Sequence, residues 1–144
     1  LLLIMGSGPL EQALKNLAVE LGVTDKVVFA GQVVNGRRYF RAFDVFALTS
    51  DHEPFGMVLL EAMAADLPII CSDSGGGAEV VDATGELFTF GDACILAEKL
   101  AAMATRVDYA SGLAKARLKN EFSDDAAFRK FRQLPYVLTK GWCS

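Results

Sequence analysis

The sequence predicts an α/β fold in which a doubly wound parallel sheet is covered by helices on both faces. Short apolar runs typical of buried strands alternate along the chain with segments whose apolar residues recur at helical spacing, and this alternation favours parallel strands. The 144 residues are 52% hydrophobic and 22% charged, which suits one compact domain with a sizeable core. We therefore expect a single domain over residues 1–144.

The first part of the chain is predicted to contain two strands and a helix between them. Residues 1–5 have the composition of a buried strand interior, so we expect a fragment that has lost its beginning. Four leucines at helical spacing mark the helix, which Gly22 ends: Leu10, Leu14, Leu17 and Leu21. Residues 26–30 form the second strand, which leads through residues 31–33 into a short helix. The arginines of that helix are expected to form a solvated cationic face over an aromatic stripe: Arg37, Arg38 and Arg41.

The rest of the chain continues the alternation. Strands are predicted at residues 45–48, 69–71 and 85–88, with a helix at 57–65 after the first of them. Asp92 is a suitable cap for a helix over residues 93–103. Two more helices are predicted over 110–121 and 124–133, the second opening with Ser123 as a candidate N-cap. Pro135 interrupts the helical pattern, and the tail 136–144 is either a short helix or loose.

Charge and cysteine content exclude several classes of function. The formal net charge is −4, so no broad basic face is expected for nucleic acid. The three cysteines, Cys71, Cys94 and Cys143, are odd in number and lack metal-ligand spacing, which indicates reduced thiols in a cytosolic setting. Neither a membrane span nor a signal peptide is indicated.

The most informative segment is the polar elbow between the strand at 45–48 and the helix at 57–65. In open α/β sheets, ligands bind at such elbows, where the helix presents unpaired N–H groups and the positive end of its dipole. The segment carries two carboxylates, Glu53 on the loop and Glu61 within the helix. Between them, Pro54 presets the turn and Gly56 allows a ligand to approach the backbone closely. The pattern predicts an anion or sugar site.

Glu53-Pro54-Phe55-Gly56 is followed, after four intervening residues, by Glu61-Ala62-Met63-Ala64. This block resembles the E-x7-E signature of retaining nucleotide-sugar glycosyltransferases of the GT-B fold, the glycosyl transferases group 1 family. The loop Gly6-Ser7-Gly8-Pro9 is similar to the family's loop at that place, and residues 78–81 resemble a short helix of the family. The resemblance spans residues 6 to about 103. It implies a Rossmann-like carboxy-terminal domain that binds the donor. The family's amino-terminal acceptor domain, and a basic pair that neutralises the diphosphate, would precede the first residue of this chain.

The resemblance also implies roles for individual residues. The Glu61 carboxylate would accept from both ribose hydroxyls, and Glu53, the implied catalytic residue, would face the donor sugar. The backbone N–H groups of Phe55, Gly56 and Met57 would bind the donor, and the loop containing Val33 would lie beside the base. No cofactor and no metal is implied.

The implied reaction is the transfer of a hexose from a nucleotide-sugar to a glycan or lipid-linked acceptor in the synthesis of cell-envelope polysaccharide or lipopolysaccharide. Its place would be the cytoplasm, with the full-length enzyme peripheral to the inner face of the membrane. Because transfer needs both reactants held in attack geometry, we expect this chain alone to be inactive without the missing amino-terminal domain.

Other interpretations stay open at this point. Glu53 and Glu61 could be solvated acids, and His52 could be either a surface histidine or a general base. The glycines at 75–77 could cradle a phosphate or form a flexible turn, and Glu79 is better explained as structural. The chain could be a non-catalytic module that binds a phosphate ligand or a protein partner. A dinucleotide-dependent oxidoreductase is disfavoured because Glu11 replaces the third glycine of G-x-G-x-x-G.

Overall fold

The computed structural model describes residues 1–105 and 112–135 and divides the chain into two compact units, Leu1–Arg38 and Tyr39–Ser144. All pairings between the named strands are parallel. The predicted parallel α/β architecture is therefore confirmed, and the structure adds that the strands belong to two sheets, a two-stranded and a three-stranded one.

The first unit is a strand–helix–strand arrangement. It contains β1 (Leu2–Met5), α1 (Glu11–Glu20), a 3-10 turn at Thr24–Lys26 and β2 (Val27–Gly31). β1 pairs with β2 from Leu2 opposite Val27, with a register shift after Ile4. The helix forms where the leucine spacing predicts it, but all four leucines are exposed, and Ala18 is the one buried residue of this unit. Periodicity predicted the helix, whereas burial depends on a packing layer that periodicity does not specify.

The second unit holds the remaining elements. A 3-10 helix, Gly36–Ala42, includes the last residues of the first unit and the first of the second, and its three arginines are exposed as predicted. Strands and helices then alternate: β3 (Phe46–Leu48), α2 (Met57–Ala64), β4 (Ile69–Ser72), α3 (Gly77–Val81), β5 (Glu86–Phe88), α4 (Ala93–Thr105), α5 (Leu113–Glu121) and α6 (Asp124–Arg132). These elements match the predicted ones within two or three residues. The first residues of the helix predicted at 110–121 and the tail 136–144 lie outside the described residues.

β4 is the central strand of the three-stranded sheet and is fully buried along its length. Ile69 and Cys71 face one core cluster, which is formed with side chains of α2, α3 and α5: Leu59, Ala62, Met63, Val80, Val81 and Ala114. Ile70 faces a second cluster with Phe88 and with Met103 of α4. The alternation of β4 side chains between two clusters shows that helices cover both faces of this sheet.

Two predicted helix caps are present. Asp92 Oδ1 accepts a hydrogen bond from the Ile95 amide at 2.9 Å before α4. Ser123 Oγ accepts from the Ala126 amide at 3.2 Å at the start of α6. Among the helices of the described residues, none is long and apolar enough to cross a membrane.

Candidate functional site

Two loops meet at the carboxyl edge of the three-stranded sheet. The motif loop, residues 49–56, follows β3, and the glycine loop, residues 73–76, follows β4. Because β3 and β4 are parallel, both loops leave the same edge of the sheet. The Ser50 carbonyl accepts hydrogen bonds from the hydroxyls of Ser72 and Ser74, each at 2.6 Å, and Ser72 is fully buried. The bases of the two loops are therefore joined by side-chain to backbone contacts.

The glycine loop packs directly on the backbone of the motif loop. Glu53 and Gly75 form an isolated parallel bridge, and the Gly76 amide donates to the Glu53 carbonyl at 2.7 Å. A Cβ on Gly75 would lie 2.5 Å from the Glu53 carbonyl oxygen, and one on Gly76 would collide with the Pro54 carbonyl oxygen. The sequence left a phosphate cradle and a flexible turn open. The contacts show a third function, which is to let two backbones approach without side chains between them.

The Glu53 side chain runs between two glycines. Its Cγ lies 3.3 Å from the position that a Cβ of Gly56 would occupy and 3.6 Å from the corresponding position at Gly77. The Ser50 hydroxyl donates to Glu53 Oε2 at 3.5 Å, and the side chain is half-buried. A Cβ at Gly56 would therefore press on Glu53, whereas one at Gly77 would touch Glu53 in ordinary contact and meet the Cys71 sulfur more closely, at 3.0 Å.

Cys71 lies on β4 close to Glu53, and sequence reasoning did not assign it to this site. Its burial raises the pKa of the Cys71 thiol to about 11, and the Glu53 carboxylate contributes in the same direction. The thiol therefore stays protonated at neutral pH. The only signal in the sequence was its position at the end of a predicted strand.

The motif loop ends at Gly56, where the backbone is left-handed with φ of 82°. A Cβ there would lie 2.7 Å from Leu59 Cδ1, so glycine is required both by conformation and by space. The N–H groups of Phe55, Gly56 and Met57 have no acceptor within residues 1–105 and 112–135. Among the described residues these three donors are thus unused at the start of α2, and their binding to a ligand stays a prediction.

Glu61 lies in the middle of α2 and is half-buried. Within the part of the chain that the structure describes, its carboxylate makes no hydrogen bond and no ion pair. Both oxygens are therefore available to accept hydrogen bonds from a ligand.

Three further residues singled out from the sequence are placed as follows. His52 is exposed and has no hydrogen-bond or ion-pair partner among the described residues, as expected of a surface histidine. Glu79 is exposed, and its backbone carbonyl accepts a hydrogen bond from Arg117, while a structural role for its side chain stays a prediction. Val33 belongs to the first unit, where it follows β2 and is half-buried, and its position beside a base stays a prediction.

No group of three or more potential metal ligands occurs within the described ranges. The chemistry that the described groups offer is hydrogen bonding, by carboxylates that accept and by backbone amides that donate. Such a set suits a ligand that carries both hydroxyl groups and anionic oxygens.

Comparisons with known proteins point to one family. The family model described as Glycosyl transferases group 1 matches residues 1–116. An uncharacterized glycosyltransferase of Methanocaldococcus jannaschii is 45% identical over 83 residues, which are 56% of this chain and 21% of that protein. A lipopolysaccharide core biosynthesis glycosyltransferase of Rhizobium meliloti is 40% identical over 73 residues, 51% of this chain and 22% of that protein.

Solved structures agree with these relatives. The structure of Anabaena HepE in complex with UDP-glucose superposes with a TM-score of 0.76 at 25% identity, and the match covers 96% of this chain and 40% of HepE. The matched region spans about a fifth of the length of the two curated relatives and two fifths of HepE.

Proposed function

This chain belongs to the glycosyl transferases group 1 family, and we propose that it binds the nucleotide-sugar donor of a retaining hexosyltransferase, as the carboxy-terminal domain of a GT-B enzyme. The observation that carries the proposal is Glu61, a half-buried carboxylate without a partner in the described residues, on the helix whose first N–H groups are also unused. The match to HepE, whose structure contains UDP-glucose, supports a donor of this class.

The site residues take the following parts in the proposal. Glu61 accepts hydrogen bonds from the two ribose hydroxyls, because an ionised carboxylate offers two acceptor oxygens at the spacing of a vicinal diol. The amides of Phe55, Gly56 and Met57 donate to donor oxygens at the positive end of the α2 dipole. Glu53, oriented between Gly56 and Gly77, is the catalytic residue and contacts the sugar. Val33 lies beside the base, and no metal or other cofactor takes part.

The acceptor and the pathway are proposed from the relatives. The likeness to a lipopolysaccharide core glycosyltransferase supports a glycan or lipid-linked acceptor in cell-envelope polysaccharide or lipopolysaccharide synthesis. The relatives are several times longer than the matched region, so we propose that the acceptor is bound by an amino-terminal domain of the same enzyme. That enzyme would act in the cytoplasm, peripheral to the inner face of the membrane. The present chain alone would bind a donor without transferring its sugar.

The test is a calorimetric titration of the chain with UDP, GDP and their 2′-deoxy analogues. We expect Glu61→Gln to weaken nucleoside diphosphate binding by about 1.5 to 3 kcal/mol, the range for hydrogen bonds to a charged group. Removal of the 2′ hydroxyl should weaken binding to the unmutated chain. In the Gln variant, which has already lost the ribose contact, the same removal should weaken binding little further. Glu98→Gln is the matched control, because Glu98 is an exposed helical glutamate of α4 without a hydrogen bond or ion pair among the described residues.

A second titration with UDP-glucose and GDP-mannose tests Glu53. We expect Glu53→Ala to weaken binding of the sugar nucleotide and to spare the bare nucleoside diphosphate. Equal losses for both ligands would remove the assignment of Glu53 to the sugar. If neither the uridine nor the guanosine compounds bind to the unmutated chain, the donor-binding proposal is wrong. The non-catalytic module then becomes the better explanation.

A further inference from the structure

We infer that Arg117 is a positioning residue that holds the motif loop and the glycine loop in the geometry of the donor site. The expected effect of Arg117 on ligand binding rests on the proposed function, whereas its contacts around the two loops do not. Arg117 lies on α5, one residue beyond the region that the family model matches, and nothing in the sequence pattern assigned it to the site.

Arg117 forms two hydrogen bonds with α3, the short helix that follows the glycine loop. Arg117 Nε donates to the Val80 carbonyl at 2.9 Å, and Nη2 donates to the Glu79 carbonyl at 2.7 Å. These carbonyls lie near the carboxyl end of α3, where helical carbonyls lack intrahelical partners. α3 begins at Gly77, directly after the Gly76 amide that donates to the Glu53 carbonyl. Arg117 therefore fixes the helix through which the glycine loop is attached.

Arg117 is also connected to the motif loop, through two aromatic rings. The Arg117 guanidinium lies 5.6 Å from the centroid of the Phe122 ring, within the range of a cation–π contact. Phe122 meets Phe55 edge to face, with ring centroids 5.9 Å apart and planes inclined by 75°. Phe55 immediately precedes Gly56, where the backbone turns into α2. One side chain on α5 is thus connected to both loops.

A cavity of about 190 Å³ lies between these loops and the helices behind them. On the loop side it is lined by Pro54, Phe55 and Gly76, and on the helix side by Arg117 and Phe122 among others. Arg117 and Phe122 therefore border the same space as both loops.

The contacts require the shape of arginine as well as its charge. The guanidinium presents donors in several fixed directions, which lets it bind two carbonyls, the Asp82 carboxylate and a ring face at once. The ion pair, at 3.1 Å, contributes little because the Asp82 side chain is 60% exposed, whereas that of Arg117 is 22% exposed. A lysine would keep the charge but could not make both carbonyl bonds in the same geometry.

The inference is tested by backbone amide exchange and ligand titration on the same variants. Arg117→Ala should speed exchange of the Gly76 amide by about tenfold or more relative to the Ile70 amide of β4, because loop opening becomes independent of global unfolding. It should weaken UDP-glucose binding about threefold to tenfold more than UDP binding. Arg117→Lys should show the same two effects, since charge alone does not restore them. Phe122→Leu removes the aromatic contact and should speed exchange of the Leu59 amide, which donates to the Gly56 carbonyl at 2.8 Å, more than exchange of the Gly76 amide.

Arg132→Ala is the matched control. Arg132 also places its guanidinium over a ring, 5.8 Å from the Phe128 centroid, but it lies on α6 and, among the described residues, makes no hydrogen bond or ion pair with either loop. It should leave loop exchange and both affinities unchanged. The inference is wrong if Gly76 and Ile70 speed up together in Arg117→Lys, because that would indicate a loss of general stability. A chain that binds no nucleotide would refute the proposed function, and the exchange ratios would still decide whether Arg117 holds the loops.

Discussion

At the scale of single residues, position 76 requires glycine for lack of space and not for its backbone conformation. Its φ of −72° is accessible to any residue, so the need for glycine comes from the Pro54 carbonyl oxygen that a Cβ would meet. We expect Gly76→Ala to lower the free energy of unfolding by about 1 to 3 kcal/mol, the usual cost of overpacking. Urea unfolding measures this. Gly8→Ala is the control, because no atom lies within 4 Å of a Cβ there, and it should change stability by less than about 0.5 kcal/mol.

The raised pKa of Cys71 predicts how the stability of the protein depends on pH. Burial, with a smaller contribution from the Glu53 carboxylate, raises the pKa of Cys71 from 9.0 to about 11 in the folded protein. The thiol's contribution to stability is therefore complete below pH 9 and is lost as the pH rises from 9 to 11, at up to about 1.4 kcal/mol per pH unit. We expect the stability of the unmutated chain to fall more steeply over this range than that of Cys71→Ala. Parallel curves from urea unfolding at pH 8 to 11 would contradict the prediction, and Cys94→Ala serves as the exposed-cysteine control.

At the scale of elements, the capping of α4 can be tested with two variants of one residue. Asp92→Ala removes the oxygen that accepts from the Ile95 amide and should lower the free energy of unfolding by about 1 kcal/mol. Asp92→Asn keeps an acceptor oxygen in place and should lose a few tenths of a kcal/mol at most, from the weaker interaction with the helix dipole. Chemical denaturation of both variants measures the two losses in free energy of unfolding. An equal loss in the two would mean that the hydrogen bond is not the source of the effect.

Elements that depend on local signals could be predicted from the sequence, and those that depend on distant contacts could not. The caps at Asp92 and Ser123 are set within three residues of their partners, so the sequence pattern was sufficient. The packing of Gly76 on Pro54 joins segments more than 20 residues apart, and glycines alone did not reveal it. Arg117 contacts carbonyls 37 and 38 residues away, and an arginine on a helix carries no signal of such a contact. For the same reason the division of the strands into two sheets was not visible in their alternation with helices.

At the scale of the whole molecule, burial is distributed unevenly between the two units. The unit Leu1–Arg38 buries Ala18 alone, whereas all four residues of β4 in the other unit are buried. Amide protection follows burial and cooperative packing, so amides of β1 and β2 should exchange faster than those of β4. Hydrogen exchange followed by NMR tests this in the full chain. Equal protection in β1, β2 and β4 would show that the first unit is more stable than its buried residues suggest.

The bridge between Glu53 and Gly75 also bears on attempts to engineer enzymes of this kind. Together with the two serine hydroxyls on the Ser50 carbonyl, it makes residues 49–56 and 73–76 a matched pair of surfaces. A motif loop transplanted alone into another scaffold would meet a glycine loop shaped for a different backbone. The smallest portable cassette is therefore discontinuous: it comprises both loops, together with the β3 and β4 strands from which they emerge.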